Sequence, residues 1–560
     1  VNQRKNLATG QKNMSLELKK LLLERLSQGL LKSKLTKCST WAENTRIMGR
    51  PYPGPWNFKH HPWLKEMMDA EEDFCVGQKA AQMGYTECVL NRSLYKMDIE
   101  GSNVLYVLPT KTPDATDFSS SRFDPALELS DHLSNMFSDV KNVGHKRAGS
   151  VSLFIRGSKS RAGLKSIPAG FIVLDELDEM DQDNIPLALE RTSGQLVKQV
   201  WKISTPTIED HGINIDFKNS TQEHFMFPCP SCSRFTELIY PECLVIPTDS
   251  EDDLRCAHLI CKECKNKLNH EEKHIFLSKG KWVPENDQKE ARGFYINQMY
   301  SSTITPENIA KTVILSRRNA ADEQELYNSK LGLAHSVAGS RITEEQLVSC
   351  TGEYVNGNKS FSGVIVMGID VGKWIHYEIG CYNFPERRGA ATTDLNAKCT
   401  YRMMFEGKAL QFEELDSVLD EYKVQTAVCD IQPERRKAYE FSSRNYGRVR
   451  LCYYAEGIAG KLIKEDESEQ MIAVDRTSWM DAALNRFKVN KITLPINLSN
   501  EYKEHLKAPT RIYEKDNKGN PVARYVNGKL NDHFAHARTY NEIALAVAAG
   551  QSLPRSIKGI

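Results

Sequence analysis

The chain has 560 residues, 40% of them hydrophobic, which is too long for one core and ample for two or three packed domains. Lys and Arg (74) balance Asp and Glu (73), so net charge does not announce a nucleic-acid partner and local clustering has to speak instead. No apolar run approaches the roughly 20 residues of a membrane span, and the polar, basic N-terminus lacks a signal-peptide core, so an intracellular protein is expected.

Residues 14–34, MSLELKKLLLERLSQGLLKSK, alternate apolar and basic positions at helical spacing and predict an amphipathic arm within residues 1–45. Residues 46–350 alternate helical text with short apolar strands: NVLYVLPT (103–110), SVSLFIRG (150–157), GFIVLDE (170–176) and QVWKISTPT (199–207). That rhythm predicts an α/β domain on a largely parallel sheet. A cysteine-bearing insertion interrupts it at 225–270, and the polar, glycine-containing stretch 351–362 reads as a linker. A second α/β unit over 363–550 opens with VIVMGIDVG, continues with IHYEIGCYNF, TAVCDIQ and RVRLCYY, and closes on the helical DHFAHARTYNEIALAVAAG before a tail at 551–560.

Three constellations carry chemistry. In QKAAQMGYTE (78–87) a phosphate loop of the form G-x-x-x-x-G-K-[ST] would place its second glycine on Gly84 and its hydroxyl on Thr86, with Tyr85 where lysine is required. Lys79 stands at the start of the register and has the reach to serve the same phosphates; the alternative is a helix start rich in small residues. FIVLDELDEMD delivers Asp175 and Glu176 from a buried strand, suited to holding Mg²⁺ and to activating water, or else to capping a helix in company with Asp178, Glu179 and Asp181. A strand ending in Ser204-Thr205-Pro206-Thr207 follows, in the order in which motors place binding, hydrolysis and coupling motifs. Between loop and acids, residues 141–165 carry Lys141, Lys146, Arg147, Arg156, Lys159, Arg161 and Lys165 with no acidic residue, fit for a DNA backbone, a γ-phosphate or plain solvation; Arg161 is the candidate arginine finger.

Cys229 with Cys232 and Cys261 with Cys264 form two C-x-x-C pairs, the knuckle spacing of a structural Zn²⁺ site, while Cys243 and Cys256 fall outside it. Finally, Asp370 and Asp430 end apolar strands and Asp532 opens the last helix. Acids so placed suit a two-metal phosphodiesterase built from carboxylates, with the glycines of GIDVG permitting a sharp turn beside the acid. Asp481 is an alternative third ligand. His533 and His536 either assist or are surface residues.

Together WAENTRIMGRPYPGPWNF, the K-x-x-Q-x-G-x-T of residues 79–86, LDELDEMD, STPT, CPSC with CKEC, MGIDVG and DHFAHARTY resemble the phage terminase large subunits, in particular the lambda-like branch. The resemblance spans nearly the whole chain. It implies a P-loop ATPase domain with a zinc-binding insertion followed by a ribonuclease-H-like nuclease domain. It further implies ATP held by Lys79, Gln82, Gly84, Tyr85, Thr86, Asp175, Ser204 and Thr205, hydrolysis assisted by Glu176, and Mg²⁺ or Mn²⁺ on Asp370, Asp430 and Asp532. The expected partners are double-stranded DNA, a small terminase subunit, a procapsid portal and further copies of the chain, without a membrane, in the host cell cytoplasm. The rival readings are a helicase-nuclease of repair or restriction, which would show a second motor domain, and a DNA-binding protein with a degenerate ATPase.

Overall fold

The computed structural model describes residues 37–549 apart from 51, 138–139, 166, 248–253, 288, 384–398, 456, 459, 461–462, 467–468, 516–520 and 529. The amphipathic stretch 14–34 lies outside the described residues. The chain divides into two compact units that meet in sequence at His335 and Ser336. The division therefore comes earlier than the polar stretch 351–362. Ile342, Leu347 and Cys350 bury in the core of the second unit, and Cys350 accepts a backbone hydrogen bond from Leu494, so this segment is already committed to it.

In the first unit, β1 (Phe74–Lys79) leads through a short loop into α1 (Tyr85–Asp98), followed by β2 (Val104–Leu108), β3 (Val151–Gly157), β4 (Phe171–Asp175), β5 (Gln199–Ser204), β6 (Glu223–Pro228) and β7 (Arg292–Ile296). Seven parallel strands run in the order β6-β7-β1-β5-β4-β2-β3, with antiparallel strands added at both edges. Every residue of β2 and β4 is buried, as expected of parallel strands covered on both faces. Alternation sorts them: Tyr106 and Val173 pack with α1 residues such as Leu90 and Leu94, whereas Leu105, Val107 and Ile172 pack with Ile185 and Ile213. The strands β1, β6 and β7 are not among those expected from the sequence. Between β6 and β7 the cysteine-bearing segment forms its own three-stranded sheet from Leu244–Val245, His258–Ile260 and Lys267–Leu268.

The second unit holds β8 (Val364–Val371), β9 (Ile375–Asn383), β10 (Thr400–Ala409), β11 (Thr426–Asp430), β12 (Val449–Tyr454), β13 (Met471–Val474), α2 (Arg476–Lys488), α3 (Asn500–Lys507) and α4 (His533–Ala548). Its sheet runs β13-β12-β11-β8-β9-β10, closed at the two ends by Ile463–Asp466 and Ile492–Thr493. The strands β13, β12, β11 and β8 are parallel; β8, β9 and β10 are antiparallel. The helix α4 lies across β8 so closely that a Cβ on Gly368 would stand 2.0 Å from the Ala537 carbonyl oxygen. Gly368 thus serves helix–strand approach, while the turn expected beside the acid falls at Gly372, between the paired Val371 and Ile375.

Buried charges lock α4 in place. Arg538 pairs with Glu378 at 2.7 Å and with Glu542, which also takes two 2.7 Å hydrogen bonds from Arg486 of α2. Charges removed from water this completely hold their geometry only when paired, so the network fixes the helix that carries the C-terminal candidate residues.

Candidate functional sites

The first candidate site forms where β1, β4 and β5 end side by side, at the carboxyl edge where parallel sheets bind ligands. Lys79 is the last residue of β1 and not part of the loop proper. Gln82 takes a left-handed backbone conformation (φ 61°) although it is not glycine, and Gly84 takes φ 82° before α1 begins. The loop is braced from outside: Trp63 Nε1 donates to the Met83 carbonyl at 3.0 Å and Gln298 Nε2 to the Ala81 carbonyl at 2.9 Å.

Three motifs meet at the buried amine of Lys79. Its Nζ lies 2.8 Å from Glu176 Oε1 and donates to Thr205 Oγ1 at 3.3 Å, while Thr205 N donates to Glu176 Oε2 at 3.4 Å. Glu176 itself sits at φ 60°, a strained conformation for a residue with a side chain and one that recurs at active sites. Asp175 is fully buried, accepting from Tyr106 Oη at 2.6 Å and from Thr86 Oγ1 at 3.5 Å. Burial, reinforced by the charge of Glu176, pushes its carboxyl up to about 6, against the pull of Lys79. An acid in that state gains from a cation.

Two expected ligands lie elsewhere. Tyr85 is buried to 1% exposure with its ring against Gly77, where an added Cβ would meet it at 2.7 Å, so it packs behind the loop and faces no nucleotide. Ser204 is fully buried and spends its hydroxyl on Asp178 N and the Thr205 carbonyl. The basic block is likewise divided: Lys146 is buried against Asp124 at 2.7 Å, and Arg156 donates to backbone carbonyls of Gly144 and Ile155. Arg147, Lys159, Arg161 and Lys165 are exposed, Arg161 opening a single turn of helix. Asp178, read only as a capping acid, instead accepts from Thr207 N and Oγ1, both at 2.8 Å, and from Ile213 N at 2.8 Å. It ties the acid-bearing loop after β4 to the segment after β5, a role that no spacing in the sequence reveals.

In the inserted sheet, the four sulfurs of Cys229, Cys232, Cys261 and Cys264 all lie within 4.8 Å of one another, with Cys229 and Cys264 at 3.9 Å. A tetrahedral Zn²⁺ with bonds of about 2.3 Å sets its sulfurs about 3.8 Å apart, so the quartet fits the ion with little adjustment. Backbone N–H groups of Ser231 and Glu263 point at Cys229 and Cys261, each at 3.4 Å. Donors so placed favour thiolate.

The second candidate site lies on the sheet of the second unit. Because β8 and β11 are parallel neighbours with Ile369 opposite Cys429, Asp370 and Asp430 stand side by side. Burial pushes the Asp430 carboxyl up to about 6, and the negative charge of Asp370 adds to the effect. Asp532, at the start of α4, behaves oppositely: despite burial, the His536 imidazole at 3.3 Å and Arg476 at 3.8 Å hold it down to about 2. Its buried Oδ2 makes no hydrogen bond. Asp481 is occupied elsewhere, clamped by Arg511 at 2.8 and 3.0 Å and by Tyr525 Oη at 2.7 Å. The expected carboxylate-only site needs correction, because His533 of α4 bonds Asp370 at 2.8 Å and His376 of β9 stacks on His533. Among the described residues, Asp370 clusters with these two imidazoles within 4.8 Å, and the three aspartates form no cluster that tight.

Residues 51–282 match the family described as phage terminase large subunit gpA, ATPase domain. No curated protein matches the chain. Among solved structures, the HK97 bacteriophage large terminase is 10% identical, with 92% of this chain and 99% of that one covered at a TM-score of 0.48. A large terminase from a thermophilic bacteriophage is 11% identical, with 88% and 99% covered at 0.32. The magnesium-bound large terminase nuclease from the thermophilic phage G20c is 10% identical, with 37% and 98% covered at 0.23. Likenesses this distant carry no argument about fold or activity. The family match is different in kind, for it spans the loop after β1, the acids after β4 and the segment after β5: over residues 51–282 the chain is similar to the ATPase domain of the phage terminase large subunits.

Proposed function

We propose that the chain hydrolyses ATP to drive DNA into a procapsid and cuts concatemeric DNA with a metal-dependent, ribonuclease-H-like nuclease domain. The observation that carries the motor reading is the contact of Lys79, Glu176 and Thr205, which brings three separated motifs onto one polar point at a parallel-sheet edge. In this reading Lys79 leaves Glu176 for the β- and γ-phosphates, the loop from Gln82 to Gly84 wraps them, and Thr86 and Asp175 hold Mg²⁺. Glu176, freed, orients the attacking water, and Thr205 with Asp178 reports the change to the segment after β5. Arg161, exposed on its short turn, is offered to a neighbouring subunit's nucleotide.

The nuclease reading is supported by side-by-side Asp370 and Asp430 and by Asp532 at the helix that crosses them, with Asp481 set aside by its clamp. Mg²⁺ or Mn²⁺ there supplies a nucleophile and leaving-group stabilisation for phosphodiester attack. The cysteine quartet is assigned a structural Zn²⁺. Double-stranded DNA, a small terminase subunit, a portal and further copies of the chain are the proposed partners, in the cytoplasm of the host cell. No helix among the described residues is long and apolar enough to cross a membrane.

The test of the motor is Glu176→Gln. The amide keeps the shape but cannot assist water, so turnover falls by about 10² or more while nucleotide affinity, measured by calorimetry, stays within about threefold. Near-normal turnover removes Glu176 from the role.

A further inference from the structure

We infer that the metal centre of the second unit takes nitrogen as well as oxygen donors, with His376 and His533 joining Asp370 as ligands of a transition-metal dication. This rests on the nuclease reading only for what the ion does, not for where it binds. One ring nitrogen from each histidine and one carboxylate oxygen of Asp370 lie within 4.8 Å of one another. Three different elements supply them: Asp370 from β8, His376 from β9 and His533 from the first turn of α4.

The state of His376 is the second observation. It is 3% exposed, and its Nδ1 is buried without a hydrogen-bond partner, an arrangement that costs free energy unless something occupies the lone pair. Its other nitrogen, Nε2, stands 3.5 Å from Glu501 Oε1, and Glu501 is anchored in turn by Lys408 at 2.6 Å. A carboxylate that receives the Nε2 proton fixes the tautomer and leaves Nδ1 as a bare donor, the carboxylate–histidine–metal relation common in metal centres. His505 forms a second, neighbouring group with His376 and Glu501, and its Nδ1 accepts from Phe534 N at 3.4 Å. Without an ion, His533 Nδ1 and Asp370 Oδ2 face each other at 2.8 Å and share a proton. Metal entry replaces that proton, which moves to the other ring nitrogen or to solvent.

Two imidazoles change the choice of ion. Carboxylate and water suit Mg²⁺, whereas imidazole favours first-row transition metals, so the centre should prefer Mn²⁺ to Mg²⁺. Mn²⁺ is also the useful probe, since thiolates of the cysteine quartet select softer ions.

The experiment is Mn²⁺ titration of the full chain without nucleotide, followed by electron paramagnetic resonance, with Mg²⁺ competition. Echo modulation then reports ¹⁴N nuclei bound to the ion. Expected are one Mn²⁺ held at least about tenfold more tightly than Mg²⁺, with nitrogen modulation present. His533→Ala, half-exposed, should lose part of the modulation and about tenfold in affinity. Glu501→Gln, on the surface, should weaken Mn²⁺ by about tenfold or more while keeping the nitrogen signal, as outer carboxylates do. Because His376→Gln alters a buried side chain, circular dichroism accompanies it. Mn²⁺ bound without nitrogen modulation, no Mn²⁺ bound, or affinities unchanged in His533→Ala and Glu501→Gln each overturn the inference. The nuclease reading is judged separately by DNA cleavage: nitrogen-ligated Mn²⁺ with no cutting sinks that reading and leaves the site intact.

Discussion

Replacing Asp430 by asparagine should make the metal-free protein more stable while removing DNA cleavage. Its carboxyl stands at about 6 in the folded chain instead of the ordinary 3.8, chiefly through burial and secondarily through Asp370. That difference corresponds to at most about 3 kcal/mol against the ionised folded form. The sign follows from linkage. Below about pH 4 both states are protonated and the aspartate has no penalty. Between about 4 and 6 the unfolded chain ionises while the folded one does not, so stability drains away, and above 6 the full cost stands. Asparagine has no such cost, and its amide oxygen still accepts the Gln432 N–H that Asp430 takes at 2.9 Å. In excess chelator at pH 8, the second unit of Asp430→Asn should melt about 5–10 °C above the parent, at the few degrees per kcal/mol typical of a unit this size. The gap should close as pH falls towards 4, and shrink when Mn²⁺ neutralises the parent's acids. Calorimetry of the full chain reads both effects. Asp370→Asn should relieve part of the same repulsion, so the double variant gains less than the sum. An Asp430→Asn variant that melts with or below the parent at pH 8 in chelator would refute the claim that these acids are held together at a cost.

Lys79→Ala should lower nucleotide affinity and turnover together, by about tenfold or more in each, since it removes a phosphate contact made in ground and transition states alike; normal turnover would return the loop to a plain helix start. For Tyr85, whose hydroxyl is buried without a partner, Tyr85→Phe should change stability by less than about 1 kcal/mol, whereas Tyr85→Lys buries a cation and should cost several, measured by denaturant unfolding. Elemental analysis of reduced protein should find about one zinc per chain, lost in Cys264→Ser together with the fold of the insertion while ATP binding to the motor persists. Absence of metal from freshly purified protein counts against that site.

Much was legible in the sequence because strands and loops announce themselves locally. The apolar runs before Asp175, Asp370 and Asp430 became strands ending on those acids or one residue beyond, and the two C-x-x-C pairs met as their spacing suggests. Lys79 stands out by its place in the chain, and its amine meets Glu176 and Thr205. What the sequence could not express is what each side chain faces. Tyr85 fills a lysine position by number, yet the strand register behind it turns its ring onto Gly77; Ser204 belongs to a polar motif, yet the sheet buries it against Asp178. His376 and Glu501 are 125 residues apart, and only the tertiary fold brings the Glu501 carboxylate to 3.5 Å from the His376 ring. Local pattern thus decided the elements and most of the acids. Which residues share a site depended on sheet order and helix crossing, because contacts between distant segments are determined by packing of whole faces and not by any stretch read alone.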